Sequence, residues 1–210
     1  EIRDKYGDER RSQIEYSGGD VSIEDLIADE NVVITISHAG YIKRTNLTEY
    51  KTQNRGGVGQ KSAGTRDQDF LEHMYVATNH QYMMFFTQKG KCFWMRVYEI
   101  PEGSKTAKGR AIQNLVNIES DDKVKAFICT QDLKDKDYIN SHNLVMVTKQ
   151  GQVKTTSLEE YSKPRVNGVA AITIKEGDEL LEAKLTNGES QIILAVKSGK
   201  LVRFEETKTR

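Results

Sequence analysis

No excess of either charge marks this chain, because 31 Lys plus Arg balance 31 Asp plus Glu over 210 residues. That balance excludes a uniformly basic surface of the kind that advertises a polyanionic partner. Long apolar runs are missing as well. Apolar residues make up 37% of the chain and the mean hydropathy is -0.64. No stretch approaches the roughly 20 consecutive apolar residues of a membrane span, so no membrane partner is expected. The sequence does not open with a charged segment followed by an apolar one, so no secretory signal is read and a cytoplasmic location is the expectation. Cysteine is scarce. Cys92 and Cys129 are too few for a disulfide framework and lack the paired spacing of a zinc site, so both are expected to be ordinary strand residues.

The neutrality is a cancellation. Residues 1–30 hold 10 acidic and 4 basic side chains, residues 31–118 hold 12 basic and 6 acidic, and the remaining 92 residues hold 15 of each. An acidic lead segment thus precedes a basic stretch, and the question of partners has to be settled segment by segment.

What the chain does have is internal repetition. Four segments, NVVITISHAGYIKRT, QYMMFFTQKGKCFWM, NLVMVTKQGQVKTT and QIILAVKSGKLVRF, each read as strand, tight turn and strand. Their turn glycines, Gly40, Gly90, Gly151 and Gly199, lie 50, 61 and 48 residues apart, within the range of propeller-blade repeats. A polar glycine-bearing loop follows each of the first three hairpins, and a further β-rich stretch (MYVATN, KVKAFICT, ELLEAKL) follows each loop. About four strands per repeat result. A hairpin cannot bury both of its faces alone, so such units must stack radially or side by side, and the expected class is all-β with four-stranded, propeller-like blades. The repeats divide at approximately 31–79, 80–140, 141–190 and 191–210, which makes three complete units and the opening hairpin of a fourth. Residues 1–30 read as the end of a helix broken at Gly18 and Gly19, followed by the short amphipathic SIEDLIADE. Both ends read as cut from something larger, and the unpaired last repeat predicts an open crescent or an edge contact with a second chain.

The most distinctive loop is Gln53-Asn54-Arg55-Gly56-Gly57-Val58-Gly59-Gln60-Lys61. Its glycines let the backbone come close to a partner, and Arg55 and Lys61 place positive charge beside exposed N–H groups, an arrangement suited to phosphate oxygens; the bland alternative is turn geometry. It is neither a P-loop nor a dinucleotide fingerprint, since the required Gly-Lys-Ser/Thr and strand-to-helix contexts are absent. Basic residues also recur on the strand leaving each turn glycine: Lys43 and Arg44, Lys91 and Arg96, Lys154, then Lys200 and Arg203. Lys51, Arg66, Lys105, Lys108, Arg110, Lys163 and Arg165 add to them from the loops. In a radial array equivalent positions share one perimeter, so the registered set reads as a basic rim tracking a phosphate backbone, against the alternative of a solvated strand face.

Several long motifs, in order, carry a family resemblance over essentially the whole chain. QNRGGVG resembles the signature box of the DNA gyrase A and topoisomerase IV C-terminal domain family, VYEIPEGSKTAKGRAIQNL its second-blade loop, and VKTTSLEEYSKPRVNGVAAITIKEGDELLEAKLTNGE its third. Residues 1–30 resemble the tail of the cleavage core and its linker. The resemblance implies a β-pinwheel, a propeller relative whose blades exchange a strand, with a basic outer rim that bends and wraps duplex DNA without reading its sequence. It further implies a gyrase A chain that works with gyrase B and a second copy of gyrase A in an ATP-dependent bacterial enzyme that introduces negative supercoils. ATP and magnesium would act elsewhere in that enzyme, and this chain would hold no cofactor, metal or catalytic residue. Gln53, Arg55, Gly56, Gly57 and Gly59 match the box, whereas Asn54 and Val58 stand where the family usually has basic residues. That departure leaves open the corresponding chain of topoisomerase IV, which decatenates rather than supercoils. Bending a site of about 20–30 base pairs costs on the order of 1–6 kcal/mol, so many backbone contacts are required, not one loop.

Other chemistry is thin. His38, His73, His80 and His142 lack ligand spacing. Asp132, Asp135 and Asp137 lack the glycine and distal glutamate of a calcium loop and read as a solvated loop between strands. Phe93, Trp94 and Tyr98 read as blade core rather than base-stacking platforms. With no nucleophile and base constellation, the reading from another class is a protein-interaction module, which requires an exposed apolar patch and no basic rim.

Overall fold

The computed structural model describes residues 2–8, 12, 23–50, 55 and 68–209. Among these residues two short helices, α1 (Ile2–Tyr6) and α2 (Lys136–Ser141), accompany thirteen strands: β1 (Asn31–Ser37), β2 (Tyr41–Asn46), β3 (Leu71–Thr78), β4 (Tyr82–Thr87), β5 (Lys91–Arg96), β6 (Arg110–Ala111), β7 (Val124–Thr130), β8 (Asn143–Thr148), β9 (Val153–Ser157), β10 (Val169–Ala170), β11 (Leu180–Thr186), β12 (Gln191–Ala195) and β13 (Leu201–Glu205). They form four antiparallel sheets ordered β3-β1-β2-β6, β10-β5-β4-β7, β11-β8-β9 and β12-β13. The first two sheets each have four strands, but only three come from the local repeat. β6, which follows β5 along the chain, crosses back to pair with β2, and β10, which follows β9, crosses back to pair with β5. Blades that trade strands in this way make the fold a β-pinwheel.

Strand alternation explains the packing. Successive side chains of β4 point to opposite faces. Met83 and Phe85 therefore join Val32, Ile34, Ile36 and Ile42 in a core between the first two blades, while Met84 and Phe86 join Leu144, Met146, Leu158 and Leu180 in a second core between blades two and three. Because both faces of β4 are covered, its sequence is a continuous apolar run instead of an alternation. Burying each such side chain stabilises the fold by about 1.5–3 kcal/mol. In β12 and β13, by contrast, every second residue or more lies open, with Ile193 and Leu201 58% and 65% exposed.

The hairpin turns are locked by a device that repeats three times. Ser37, Thr87 and Thr148, each three residues before the turn glycine, accept through their hydroxyls the amides of Tyr41, Lys91 and Gln152 at 3.1–3.2 Å. An aspartate from the loop before the third strand then caps the turn. Asp69, Asp122 and Asp178 accept the turn amides of Ala39, Lys89 and Gln150 at 2.9–3.1 Å, and also the amides of Phe70, Lys123 and Glu179 at 2.9 Å. For Asp69 and Asp178 partial burial pushes the carboxyl up, but the hydrogen bonds from Ser37 or Thr148 and the two amides outweigh it and hold both below the usual carboxylate range.

Two expectations are corrected here. The stretch containing Asp132, Asp135 and Asp137 is not simply a loop: Asp135 caps α2, accepting the amides of Asp137 and Tyr138 at 3.0 and 3.3 Å, which supports the helix despite its short length. Of the three aromatics, Phe93 is buried and Trp94 is half-buried against the second core, but Tyr98 sits half-buried in the 3-10 turn Val97–Glu99, outside both cores.

Candidate nucleic-acid interface

Each hairpin ends in a 3-10 turn: Leu47–Glu49, Val97–Glu99, Leu158–Tyr161 and Glu206–Lys208. From the second and third of these the chain leaves its own blade and reaches the preceding one. A glycine closes each crossing. Gly109 has φ +79 and a Cβ there would lie 2.6 Å from the Ile42 carbonyl oxygen, and Gly168 has φ +68 and a Cβ would lie 2.8 Å from that of Cys92. Only glycine allows the crossing backbone to come this close to the strand it pairs with. The crossing segments thus end as edge strands β6 and β10, at the opposite side of their sheets from β3 and β7. Since β7 and β11 lie directly against each other, the crossing segments occupy the outer edge of the stack.

Those segments carry exposed positive charge. Lys108 and Arg110 on the first crossing, and Lys163 and Arg165 on the second, are exposed, and none of them pairs with an acid among the described residues. Lys105 is half-buried with its ammonium 4.6 Å from the Tyr50 ring centre. Arg55, from the glycine-rich loop that holds the corresponding place after β2, is exposed. Gln53, Asn54, Gly56, Gly57, Val58 and Gly59, together with Lys51, Lys61 and Arg66, lie outside the described residues.

Several basic residues on the strands are engaged within the chain, and burial takes Lys43 and Arg96 out of an outward-facing rim. Lys43 is only 2% exposed, and its Nζ donates to the carbonyls of Ser104 and Lys105 at 2.7 and 2.6 Å. Burial pulls its pKa down, partly offset by Glu49. Lys154, at the same place in the third repeat, donates from Nζ to the Ala171 carbonyl at 2.7 Å. Both lysines therefore staple the crossing backbone to a blade face. Arg44 donates from Nε to the Ile100 carbonyl at 2.8 Å and pairs with Glu102 at 3.3 Å. Lys91 shares Glu119 with Lys89 at 2.6 and 2.9 Å, and hydrogen bonds from the two lysines draw the Glu119 carboxyl down to about 2. Arg96 is 8% exposed and bound to Glu24 at 2.7 Å. On the last hairpin Lys200 and Arg203 remain exposed, with Arg203 Nε donating to Gln191.

Among the described residues no group of three or more His, Cys, Asp or Glu side chains is placed to hold a metal. Burial pushes the Cys129 thiol up to about 11 and that of Cys92 well above its usual value, so neither is an activated nucleophile.

This architecture, strand-exchanged blades with cationic crossing loops on the outer edge, defines a β-pinwheel whose outward surface suits an extended polyanion. A family model described as DNA gyrase C-terminal domain, beta-propeller, matches residues 31–78, 81–131 and 142–187, and the chain belongs to that family. The DNA gyrase A protein of Salmonella typhimurium is 41% identical over 209 residues, covering 100% of this chain and 23% of that protein. The Neisseria gonorrhoeae gyrase A is 42% identical over 206 residues, covering 98% of this chain and 22% of that protein. The chain thus spans about a quarter of the length of these relatives. The crystal structure of a DNA topoisomerase IV C-terminal domain superposes with a TM-score of 0.70 at 28% identity, over 86% of this chain and 53% of that one. A DNA gyrase A C-terminal domain superposes with a TM-score of 0.65 at 23% identity, over 86% and 56%, a likeness of fold.

Proposed function

We propose that this chain is the DNA-wrapping part of a gyrase A protein. Its outer edge binds duplex DNA through phosphates, independent of sequence, and bends it so that the ATP-dependent enzyme, assembled with gyrase B and a second copy of gyrase A, introduces negative supercoils. The observation that carries this reading is the placement of Lys105, Lys108 and Arg110 on one crossing segment and Lys163 and Arg165 on the next, the segments that lead into the edge strands β6 and β10. Phosphate contacts spaced from blade to blade are what a bent duplex needs to offset its elastic cost. The gyrase relatives matched over nearly the whole chain favour gyrase over topoisomerase IV. In this reading residues 1–30 link the pinwheel to a cleavage core, and the box Gln53–Gly59 with Lys51, Lys61 and Arg66 contributes to DNA binding. The chain itself holds no cofactor; ATP and magnesium serve other parts of a cytoplasmic, nucleoid-associated assembly.

Nicked plasmid resealed by ligase in the presence of the protein tests the proposal. The linking number should shift in proportion to bound protein, and Arg55→Ala should reduce the shift. Tight binding without any shift would leave DNA binding but overturn wrapping.

A further inference from the structure

Glu24, Asp29 and Glu30, just before β1, do not hang free. A 3-10 turn, Ile23–Leu26, leads into a strap that lies on the turn between β3 and β4, where the first two blades meet. Six hydrogen bonds hold it. Arg96 donates from Nη2 to Glu24 at 2.7 Å, Asn79 from Nδ2 to the Ala28 carbonyl at 2.9 Å and from its amide to the Glu30 carbonyl at 3.1 Å. His80 donates from Nε2 to the Ile27 carbonyl at 2.7 Å and from its amide to Asp29 at 2.9 Å, and Asn46 donates from Nδ2 to Glu30 at 2.9 Å.

Arg96 is built into its place. Its guanidinium lies 3.9 Å from the Tyr82 ring centre, and Nη1 donates to the His80 carbonyl. A charge this deeply buried is stable only if paired and hydrogen-bonded, and the Glu24 carboxylate supplies the pairing. The fold does not require arginine here. The residues at the same place in the first and third repeats, Asn46 and Ser157, use their side chains to cap the 3-10 turn, accepting the amides of Thr48 at 2.9 Å and Glu159 at 3.3 Å. Arginine's side chain has no acceptor for that cap, and its turn is held instead by Glu99, which accepts the Arg96 amide at 2.9 Å. Among the described residues, the Arg96 side chain therefore exchanges a local contribution to its own turn for a carboxylate seat directed at the strap.

We propose that residues 23–30 form a docked strap that fixes the path by which the chain enters the pinwheel, and that Arg96 is its positioning residue. The matched family regions begin at residue 31, so the strap lies outside them. If the wrapping reading holds, the strap sets the direction from which wrapped DNA faces whatever precedes the pinwheel; the docking itself does not depend on that reading.

Residue-resolved hydrogen exchange of the full chain, without DNA, tests the strap. Glu24→Gln removes the charge but keeps the size, and should raise exchange at the Asn79 and His80 amides about tenfold or more while the β4–β5 hairpin amides keep their wild-type rates. Arg96→Lys, which keeps the charge but loses the planar fork, should do the same. Wild-type rates at Asn79 and His80 in both variants would overturn the proposal, as would an equal rise throughout β4 and β5, which would make Arg96 a general stability residue. Because the exchange is read without DNA, its failure is separate from a failure of the linking-number assay, which bears on wrapping alone.

Discussion

Replacing Lys43 by Met asks whether a basic residue of this fold serves the blade or the partner. The buried ammonium of Lys43 makes two charge-assisted bonds to the Ser104 and Lys105 carbonyls. Bonds to a charged group contribute about 1.5–3 kcal/mol each, and part of that is offset by the burial that pulls its pKa down. The methionine chain refills the volume of the aliphatic stem but leaves both carbonyls without their donor. The expected loss is therefore about 2–4 kcal/mol. With a urea dependence of about 2 kcal/mol per molar, the unfolding midpoint should fall by about 1–2 M. DNA affinity measured at matched fractions folded should keep its wild-type salt dependence, because no phosphate contact is lost. The paired experiment is Lys163→Ala with Arg165→Ala, on an exposed crossing segment. There the urea midpoint should hold while the slope of log K against log salt falls by about 0.9 for each lost contact. If Lys43→Met lowered the salt slope by that amount with no change in the urea midpoint, the assignment of strand lysines to architecture would be wrong.

Two further outcomes follow from the geometry. Gly168→Ala should lower stability by about 2–4 kcal/mol in thermal or urea melts, since its Cβ would meet the Cys92 carbonyl oxygen at 2.8 Å and the Phe93 ring in a left-handed backbone. Asp69 and Asp178 are held below the usual carboxylate range, so their ionised forms stabilise the folded state. That contribution is complete above the unfolded carboxyl value of about 3.9 and is lost as pH falls through the lower folded value. Asp69→Asn and Asp178→Asn should therefore be less stable than wild type near neutrality, with the gap closing toward pH 2 in urea melts run across the acid range.

Legibility differs from element to element. The four hairpins are evident from β-branched and aromatic strands flanking Gly40, Gly90, Gly151 and Gly199, whose φ angles all lie at +82 to +85. Turn chemistry of that kind depends on a few adjacent residues. The hydroxyl and aspartate lock is also written in the chain, as Ser37, Thr87 and Thr148 with Asp69, Asp122 and Asp178, but its halves lie some 30 residues apart and become one device only when the third strand returns to the turn. The basic positions Lys43 and Lys154 do repeat, as their spacing indicates. Repetition, however, shows only that two side chains have equivalent surroundings, and here those surroundings are the carbonyls of a crossing segment. Tyr98 and the α2 region escape a reading by pattern for a related reason: a 3-10 turn and a capped six-residue helix carry too few residues to show a period.

What the sequence by itself determined is the repeated unit: strand, glycine turn, strand, and the third strand after a polar loop. It also determined the family, through motifs spread along the whole chain. Only the tertiary structure decided which blade each fourth strand completes, and which cations remain available to a partner. The physical reason is range. A hairpin is stabilised by neighbours in sequence, whereas the exposure of a lysine depends on acceptors as distant as Ser104 from Lys43, 61 residues along the chain. The pairing of Arg96 with Glu24, 72 residues apart, is of the same kind. Charge could be counted along the chain, but folding alone divided it into the cations that hold the blades together and those that face outward, those of the crossing loops among them.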